Sequence, residues 1–456
     1  MAIEKNKEYI VKILDNGYEG EGIAKIDNFT IFVPGAIQGE KCRILIVKVN
    51  KSFAYGKILD VLEKSEKRQE TDCNTYKRCG GCDLRHIDYK YTLKMKQDIV
   101  QNLINKTLKK NIEVKPTIGM EKPYYYRNKL QYPIGEAENG KAIMGVYAKR
   151  THEIIPVQNC LIQNVEAQNV ANELLYLINE MGISAYNEKT QKGKVRHIVV
   201  KIGVHTNEIM CIIVTNEEKI PNEEMIVQKL VKKCPNVKTI IKNVNNKNTN
   251  VILGKRNVVL YGNGHIQDTL GEYTFNIYPM SFYQTNPIQT EVLYNKAIEY
   301  ANLKKEDVLC DLYCGIGTIG IFASKYVKSV FGIEIVEEAI EAAKENAKMN
   351  GVDNIEFMTG DVEQVFGKML KEKNITPTVI IVDPPRKGLD TTTIDTLLNL
   401  EVSRLVYVSC NPATMARDLK LLEKKYEVKE IQPVDMFPFT SHVECCSVLY
   451  LKDSIQ

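Results

Sequence analysis

The sequence predicts a multidomain α/β protein, on three observations. Short strands separated by turn signals fill the first 61 residues, alternating strand patterns dominate from about 120 to 270, and helices alternate with apolar strands after about 271. A chain of 456 residues exceeds one hydrophobic core and suits two or three domains. In the front part, residues 9–13, 22–26, 30–33, 42–49 and 54–62 read as strands, divided by Asp15-Asn16-Gly17 and Pro34-Gly35. Five short strands in so few residues suggest a small OB-like barrel, a frequent oligonucleotide-binding scaffold; a purely structural β module fits the pattern equally well.

Residues 62–270 form the second predicted domain. A polar, turn-rich stretch (63–90) carries three cysteines, and Leu93, Ile99, Leu103, Ile104 and Leu108 then recur at helical spacing. Beyond them, 129–133, 142–147, 197–202, 209–214, 250–253 and 258–261 read as an antiparallel sheet, with a helix near 166–181. The third domain, 271–456, alternates helices and strands and implies a Rossmann-like, doubly wound parallel sheet.

Composition excludes some classes. No apolar run approaches the roughly 20 residues that span a bilayer, and the start, Met1-Ala2-Ile3-Glu4-Lys5, has no signal-peptide core, so a cytoplasmic protein is expected. Twelve cysteines are then expected as reduced thiols, metal ligands or catalytic groups. Net charge is only +4, yet residues 1–115 hold 22 Lys+Arg against 16 Asp+Glu. That basic front suits a polyanion, although a solvated lysine-rich surface explains it as well.

Two turns in the last third carry chemistry. The run from Leu405 to Ser409 ends at Cys410, followed by Asn411 as a helix N-cap and Pro412 at the first helical position. A thiol beside the positive end of a helix is expected to have a lowered pKa, although such cysteines are more often packing groups. Upstream, Gly315, Gly317 and Gly320 spell GxGxxG after a strand, which alone fits several nucleotide ligands. Glu334 ends the next strand, where ribose hydroxyls bind, and Asp361 ends the third. Asp383-Pro384-Pro385-Arg386 puts a carboxylate and a rigid loop beside the cofactor's reactive end. With Asp311 four residues before Gly315, it favours S-adenosylmethionine over a nicotinamide cofactor.

Asp383-Pro384-Pro385-Arg386, Ser409-Cys410-Asn411-Pro412 and Ser441-His442-Val443-Glu444 together resemble the RNA 5-methyluridine methyltransferases. The resemblance covers essentially the whole chain, since residues 1–61 also resemble the TRAM RNA-binding domain. It implies that Gln284, Tyr313, Glu334 and Asp383 contact S-adenosylmethionine, with Asp361 near the adenine, that Cys410 is the nucleophile and that Glu444 is the general base. Glu444 reads as a loop carboxylate, otherwise merely solvated. The chemistry needs such a pair. Carbon 5 of uracil is a weak nucleophile until a thiolate adds at carbon 6, and a base must then remove the carbon 5 proton. The target uridine must be single-stranded or flipped out. Arg127 and Lys129, after Tyr124-Tyr125-Tyr126, are the expected RNA contacts; the tyrosines suit base stacking and core packing equally.

Cys73, Cys79 and Cys82 lie too close together for core filler and read as metal ligands. Loop residues Cys160 and Cys234 are the candidates for a fourth. A single Cys-x₂-Cys knuckle fits structural zinc less well than an iron–sulfur cluster, and a redox Cys-x₂-Cys competes. The large-subunit (23S) ribosomal RNA branch of the family carries a [4Fe-4S] cluster with this layout, and by resemblance Cys160 is the fourth ligand. Cluster and TRAM domain together imply ribosomal RNA as substrate and partner. The resemblance also implies that residues 85–116 pack with the catalytic domain, and a monomer is expected. The competing functions are the same reaction on transfer RNA, a non-catalytic RNA-binding assembly factor and a nicotinamide-dependent oxidoreductase.

Overall fold

The computed structural model describes residues 3–149 and 151–452. At the front, β1 (Glu8–Lys12), β2 (Asp15–Asn16), β3 (Gly22–Ile26), β4 (Phe29–Val33), β5 (Lys41–Val49) and β6 (Phe53–Glu63) form one sheet in the order β1-β5-β6-β4-β3-β2. Period-two alternation turns Val11, Ala24, Ile31, Ile44 and Ala54 inward, which is why these short strands share a core. Beyond β1 the chain turns back, and the Leu14 amide donates to the Ile23 carbonyl at 2.7 Å, curling the sheet on itself.

Helix α1 (Tyr89–Leu108) and strand β7 (Glu113–Val114) precede the second sheet but pack elsewhere. That sheet comprises β8 (Lys129–Glu136), β9 (Ala142–Tyr147), β10 (Ile154–Pro156), β11 (Val195–Ile202), β12 (Ile209–Thr215), β13 (Val237–Val244) and β14 (Arg256–Tyr261), ordered β10-β9-β8-β11-β12-β13-β14. Helix α2 (Val165–Glu180) covers one face through Ala167, Ala171 and Leu174. The sheet is antiparallel except for β12 and β13, which run parallel across a crossover through α3 (Glu223–Lys233). That helix escapes sequence reading because it buries only Ile226 and Leu230 beneath a charged surface. Residues 250–253, predicted as a strand, are irregular; the Asn245 side chain holds the Val251 and Ile252 carbonyls, and the strand begins at Arg256.

A hairpin of β15 (Ile266–Leu270) and β16 (Tyr273–Ile277) straddles residue 271. After it come α4 (Pro287–Ala301), β17 (Val308–Leu312), α5 (Thr318–Ser324), β18 (Ser329–Glu334), α6 (Glu337–Met349), β19 (Ile355–Thr359), α7 (Val362–Glu372), β20 (Val379–Val382), α8 (Thr391–Leu400), β21 (Arg404–Ser409), α9 (Pro412–Leu422), β22 (Tyr426–Val434) and β23 (Glu444–Leu451). The sheet order is β19-β18-β17-β20-β21-β23-β22-β7, parallel except for β23. β20 and β21 are buried on both faces, as central parallel strands must be.

The sheet's last strand, β7, comes from more than 300 residues upstream, and α1 lies over the same edge with Val100, Ile104 and Leu108 in the sheet's core. Lys96 on α1 is wholly buried, with Nζ 2.5 Å from Asp435 Oδ1; the Tyr89 hydroxyl donates to the other oxygen at 2.8 Å. A buried ion pair with a further hydrogen bond is costly to break from one side. It fastens α1 to the chain segment that leads into β23. Among the described residues no helix is long and apolar enough to cross a membrane.

Candidate active site

The carboxyl ends of β17, β18, β19, β20 and β21 meet on one edge, where open α/β sheets bind ligands. After β17 the chain must turn sharply. Tyr313 sits in the left-handed region (φ 67°), a strained conformation for a tyrosine that concentrates at functional sites. Gly317, also left-handed (φ 80°), opens α5; a Cβ there would lie 2.7 Å from the Phe357 ring. Asp311 stabilises the turn: one oxygen accepts the Gly320 amide at 2.8 Å, while the other is buried without a partner. Burial pushes this carboxyl up to about 8.

Glu334, at the end of β18, accepts the Gly315 amide at 3.2 Å and the Val336 amide at 3.0 Å. Asp361 stands on the same edge after β19 and caps α7 through the Glu363 amide. Gln284 lies in the loop before α4, and its carbonyl accepts Asn128 Nδ2 at 2.9 Å. Asn128 therefore couples the Arg127–Lys129 segment to the predicted cofactor loop. Sequence reading passes over it because its partner is 156 residues away. Open space beside Gly315, where a Cβ would meet nothing within 4 Å, and the orphaned Asp311 oxygen fit a bound polar ligand at this turn.

On the other side of the edge, antiparallel pairing sets Ser409 of β21 against Cys445 of β23. The next residue on each strand toward the edge is Cys410 and Glu444, so register alone makes them neighbours. Glu444 is the first residue of β23 and is 4% exposed, not the solvated loop carboxylate that the sequence suggests. Burial, then the negative charge of Asp383, push it up to about 8. Burial also raises Asp383, at the end of β20, to about 6.

Asn411 and Pro412 open α9 as the sequence predicts, and Asn411 Oδ1 accepts the Ala413 amide at 3.1 Å. The thiol's acidity differs from the sequence argument. Cys410 is pushed up to about 11, first by burial and then by the charges of Glu444 and Asp383. Burial and the two carboxylates outweigh the helix end, while the Arg386 guanidinium pulls the other way. Arg386 lies in the fields of both Cys410 and Glu444, and its carbonyl accepts Asn411 Nδ2 at 3.1 Å.

The tyrosine run divides. Tyr126 is buried and its hydroxyl donates to the Pro438 carbonyl at 3.1 Å, whereas Tyr124 and Tyr125 are exposed. Arg85 stacks over Tyr124 and Phe439, with Nε 2.6 Å from Asp72 Oδ1. Arg127 and Lys129 are both half-buried; burial and then Arg127's charge lower the Lys129 pKa, and burial, Arg386 and Arg127 lower that of His442 while Asp83 raises it.

Cys73, Cys79 and Cys82 lie in one loop, and Cys160 lies in another. Cys82 lies in the fields of Cys160, Cys79 and Cys73, and Cys82 and Cys160 both pack against the small core around Met120, Tyr126 and Phe439. Cys234, the alternative fourth ligand, packs with the central sheet and its helices, as Cys160 also does, but not with the small core that holds Cys82. Among the described residues no three of His, Cys, Asp and Glu are close enough to hold a single metal ion.

Residues 88–452 match the family described as tRNA (Uracil-5-)-methyltransferase, and residues 4–59 match the TRAM domain. Two proteins named uncharacterized RNA methyltransferase are similar along nearly their whole length. One, from Oceanobacillus iheyensis, is 46% identical over 99% of this chain and 98% of its own; one from Clostridium acetobutylicum is 47% identical over 97% of each. Among solved structures, the Pyrococcus abyssi tRNA (uracil-54, C5)-methyltransferase in complex with S-adenosyl-L-homocysteine is similar with a TM-score of 0.76. It is 28% identical and aligned over 96% of this chain and 99% of that one. A glycine turn open to a polar ligand, a half-buried thiol beside a buried carboxylate and these likenesses agree: the chain belongs to the RNA uracil-5-methyltransferase family of S-adenosylmethionine-dependent enzymes, with a TRAM domain at its front.

Proposed function

We propose that this protein methylates carbon 5 of a uridine in large-subunit (23S) ribosomal RNA through a covalent adduct between Cys410 and carbon 6. The observation that carries the reading is the register that sets Cys410 beside Glu444, with Asp383 in the field of both. Gln284, Tyr313, Glu334, Asp383 and Asp361 hold the methyl donor at the glycine turn. S-adenosylmethionine, when bound, supplies the electrophilic methyl group that carbon 5 accepts.

The remaining steps belong to the chain itself. Deprotonated Cys410 adds its sulfur to carbon 6, and the electron pair of the 5,6 double bond moves towards carbon 5 and the carbon 4 oxygen. After methylation, Glu444 accepts the proton from carbon 5. The pair left behind restores the double bond as the sulfur–carbon 6 bond breaks, regenerating the thiolate. Arg386 favours the ionised forms of Cys410 and Glu444, and Arg127 and Lys129 meet the RNA backbone.

Cys73, Cys79, Cys82 and Cys160 hold a [4Fe-4S] cluster in this reading. The fit rests on their overlapping fields and on Arg85 Nη1, a buried donor without a partner whose guanidinium lies in the field of Cys82. The cluster orders the 73–82 loop beside the RNA face. Cys160→Ser is expected to lose the brown colour and most of the iron while circular dichroism keeps the fold; one bound zinc per wild-type chain would overturn the assignment.

A second reading, the same reaction on transfer RNA, is favoured by one observation. The archaeal tRNA enzyme aligns over 96% of this chain, so a front domain does not by itself separate the two substrate classes. Incubation of the enzyme with labelled S-adenosylmethionine and each RNA separately decides between them. Label in carbon 5 of ribosomal RNA uridine is expected; label only in transfer RNA would contradict the substrate assignment.

A further inference from the structure

The N-terminal barrel reaches the catalytic turn directly. Between β2 and β3 the chain reverses at Gly17–Glu21, closed by the Gly17 amide to the Glu21 carbonyl at 2.7 Å and the Gly20 amide to the Gly17 carbonyl at 2.9 Å. This tip does not end in solvent. Gly20 adopts φ 81° and is packed so tightly that a Cβ would lie 2.5 Å from Leu84 and 3.8 Å from Ser441, three residues before Glu444. At the same tip the Tyr18 hydroxyl donates to Asn411 Oδ1 at 3.2 Å, across 393 residues of sequence.

Asn411 is a junction. Its Oδ1 also takes the Ala413 amide and its Nδ2 donates to the Arg386 carbonyl, so one side chain ties the end of β21, the start of α9 and the Asp383–Arg386 loop together. Tyr18 is 43% exposed, yet Cys410, Cys445 and Arg386 all lie within its electrostatic reach. Burial, then the two thiols, raise its own pKa, so the hydroxyl stays protonated and remains a donor at neutral pH. A tyrosine placed only to meet RNA has no need of a hydrogen bond to the residue after the nucleophile.

We propose that Tyr18 is a positioning residue: through its hydroxyl on Asn411, the TRAM domain holds the Cys410 turn in its reactive geometry and so takes part in catalysis as well as in RNA binding. The proposal rests on the reading that Cys410 is the nucleophile, and adds that the front domain governs how well it is presented.

Tyr18→Phe removes the hydroxyl and keeps the ring. A single hydrogen bond contributes about 0.5–1.5 kcal/mol, so the variant is expected to lose roughly two- to twelve-fold in kcat, with KM for RNA changed less than twofold. Tyr18→Ala is expected to fall no more than about twofold further in kcat. In protein free of RNA and methyl donor, iodoacetamide is expected to alkylate Cys410, read by peptide mass spectrometry, about threefold faster in Tyr18→Phe, because the turn is no longer held. Unchanged kcat and unchanged alkylation in Tyr18→Phe, with a raised KM only in Tyr18→Ala, would make Tyr18 a mere RNA contact and overturn the proposal. Alkylation needs no substrate, so it tests Tyr18 even if no RNA accepts a methyl group, an outcome that would instead sink the proposed function.

Discussion

Cys410→Ala is expected to abolish methyl transfer to RNA, lowering the rate by about four orders of magnitude or more while leaving the fold and RNA affinity in place. The size follows from the chemistry. Without an attached nucleophile carbon 5 has no carbanion character, and removing a group that acts as one unit with its base removes nearly the whole advantage of both. The fold is spared because the side chain sits on a turn and the cap is made by Asn411 rather than by the thiol. Thermal unfolding and RNA gel shift check the two controls, and single-turnover transfer of a labelled methyl group checks the rate. A variant that still methylates within tenfold of wild type would mean that carbon 5 is activated another way.

Glu444→Gln carries the second large effect. The proton acceptor is lost, which typically costs roughly 10²–10⁴-fold, so product release should stall with methylated RNA still attached to Cys410. A band of protein joined to RNA should build up on denaturing gels in the variant and not in wild type. The same carboxyl sets the pH dependence. It must be ionised to accept a proton, and the Cys410 thiol must be ionised to add, so with the carboxyl raised to about 8 and the thiol to about 11 kcat/KM for the wild type should climb through pH 8 and go on rising towards the thiol's range. Above that pH the variant lacks a charge that raises the Cys410 thiol, so its Cys410 should alkylate faster than wild type's even as methylation fails. Slower alkylation there would show that Glu444 is not the thiol's electrostatic neighbour.

What could be read from the sequence was what is decided locally. Asn411 and Pro412 mark a helix start within three residues, and the glycines after β17 mark a turn that only small residues fit, so both were visible without a structure. Pairing across the sheet was not. Glu444 gains its burial and its position beside Cys410 from the β21–β23 register, and a single sequence offers only family resemblance to suggest it. The thiol's acidity is set non-locally for the same reason. The helix end is local and favours the thiolate, while burial under the folded chain, and then Glu444 and Asp383 from distant strands, push the thiol up. Lys96 with Asp435, Asn128 with Gln284 and Tyr18 with Asn411 are likewise long-range pairs with no sequence signature. They mark where α1, the central sheet and the barrel are fastened to the catalytic sheet.

A covalent bond between the Cys410 sulfur and carbon 6 of the target uracil is tested most directly by an RNA carrying 5-fluorouridine at the target position. Fluorine cannot leave as a proton, so Glu444 has nothing to remove and the methylated adduct cannot collapse. Incubation of the wild-type enzyme with this RNA and S-adenosylmethionine is predicted to give a stable one-to-one complex, whose digestion yields the peptide containing Cys410 joined to a methylated nucleotide. No covalent complex, or one carried by any other residue, would contradict the account.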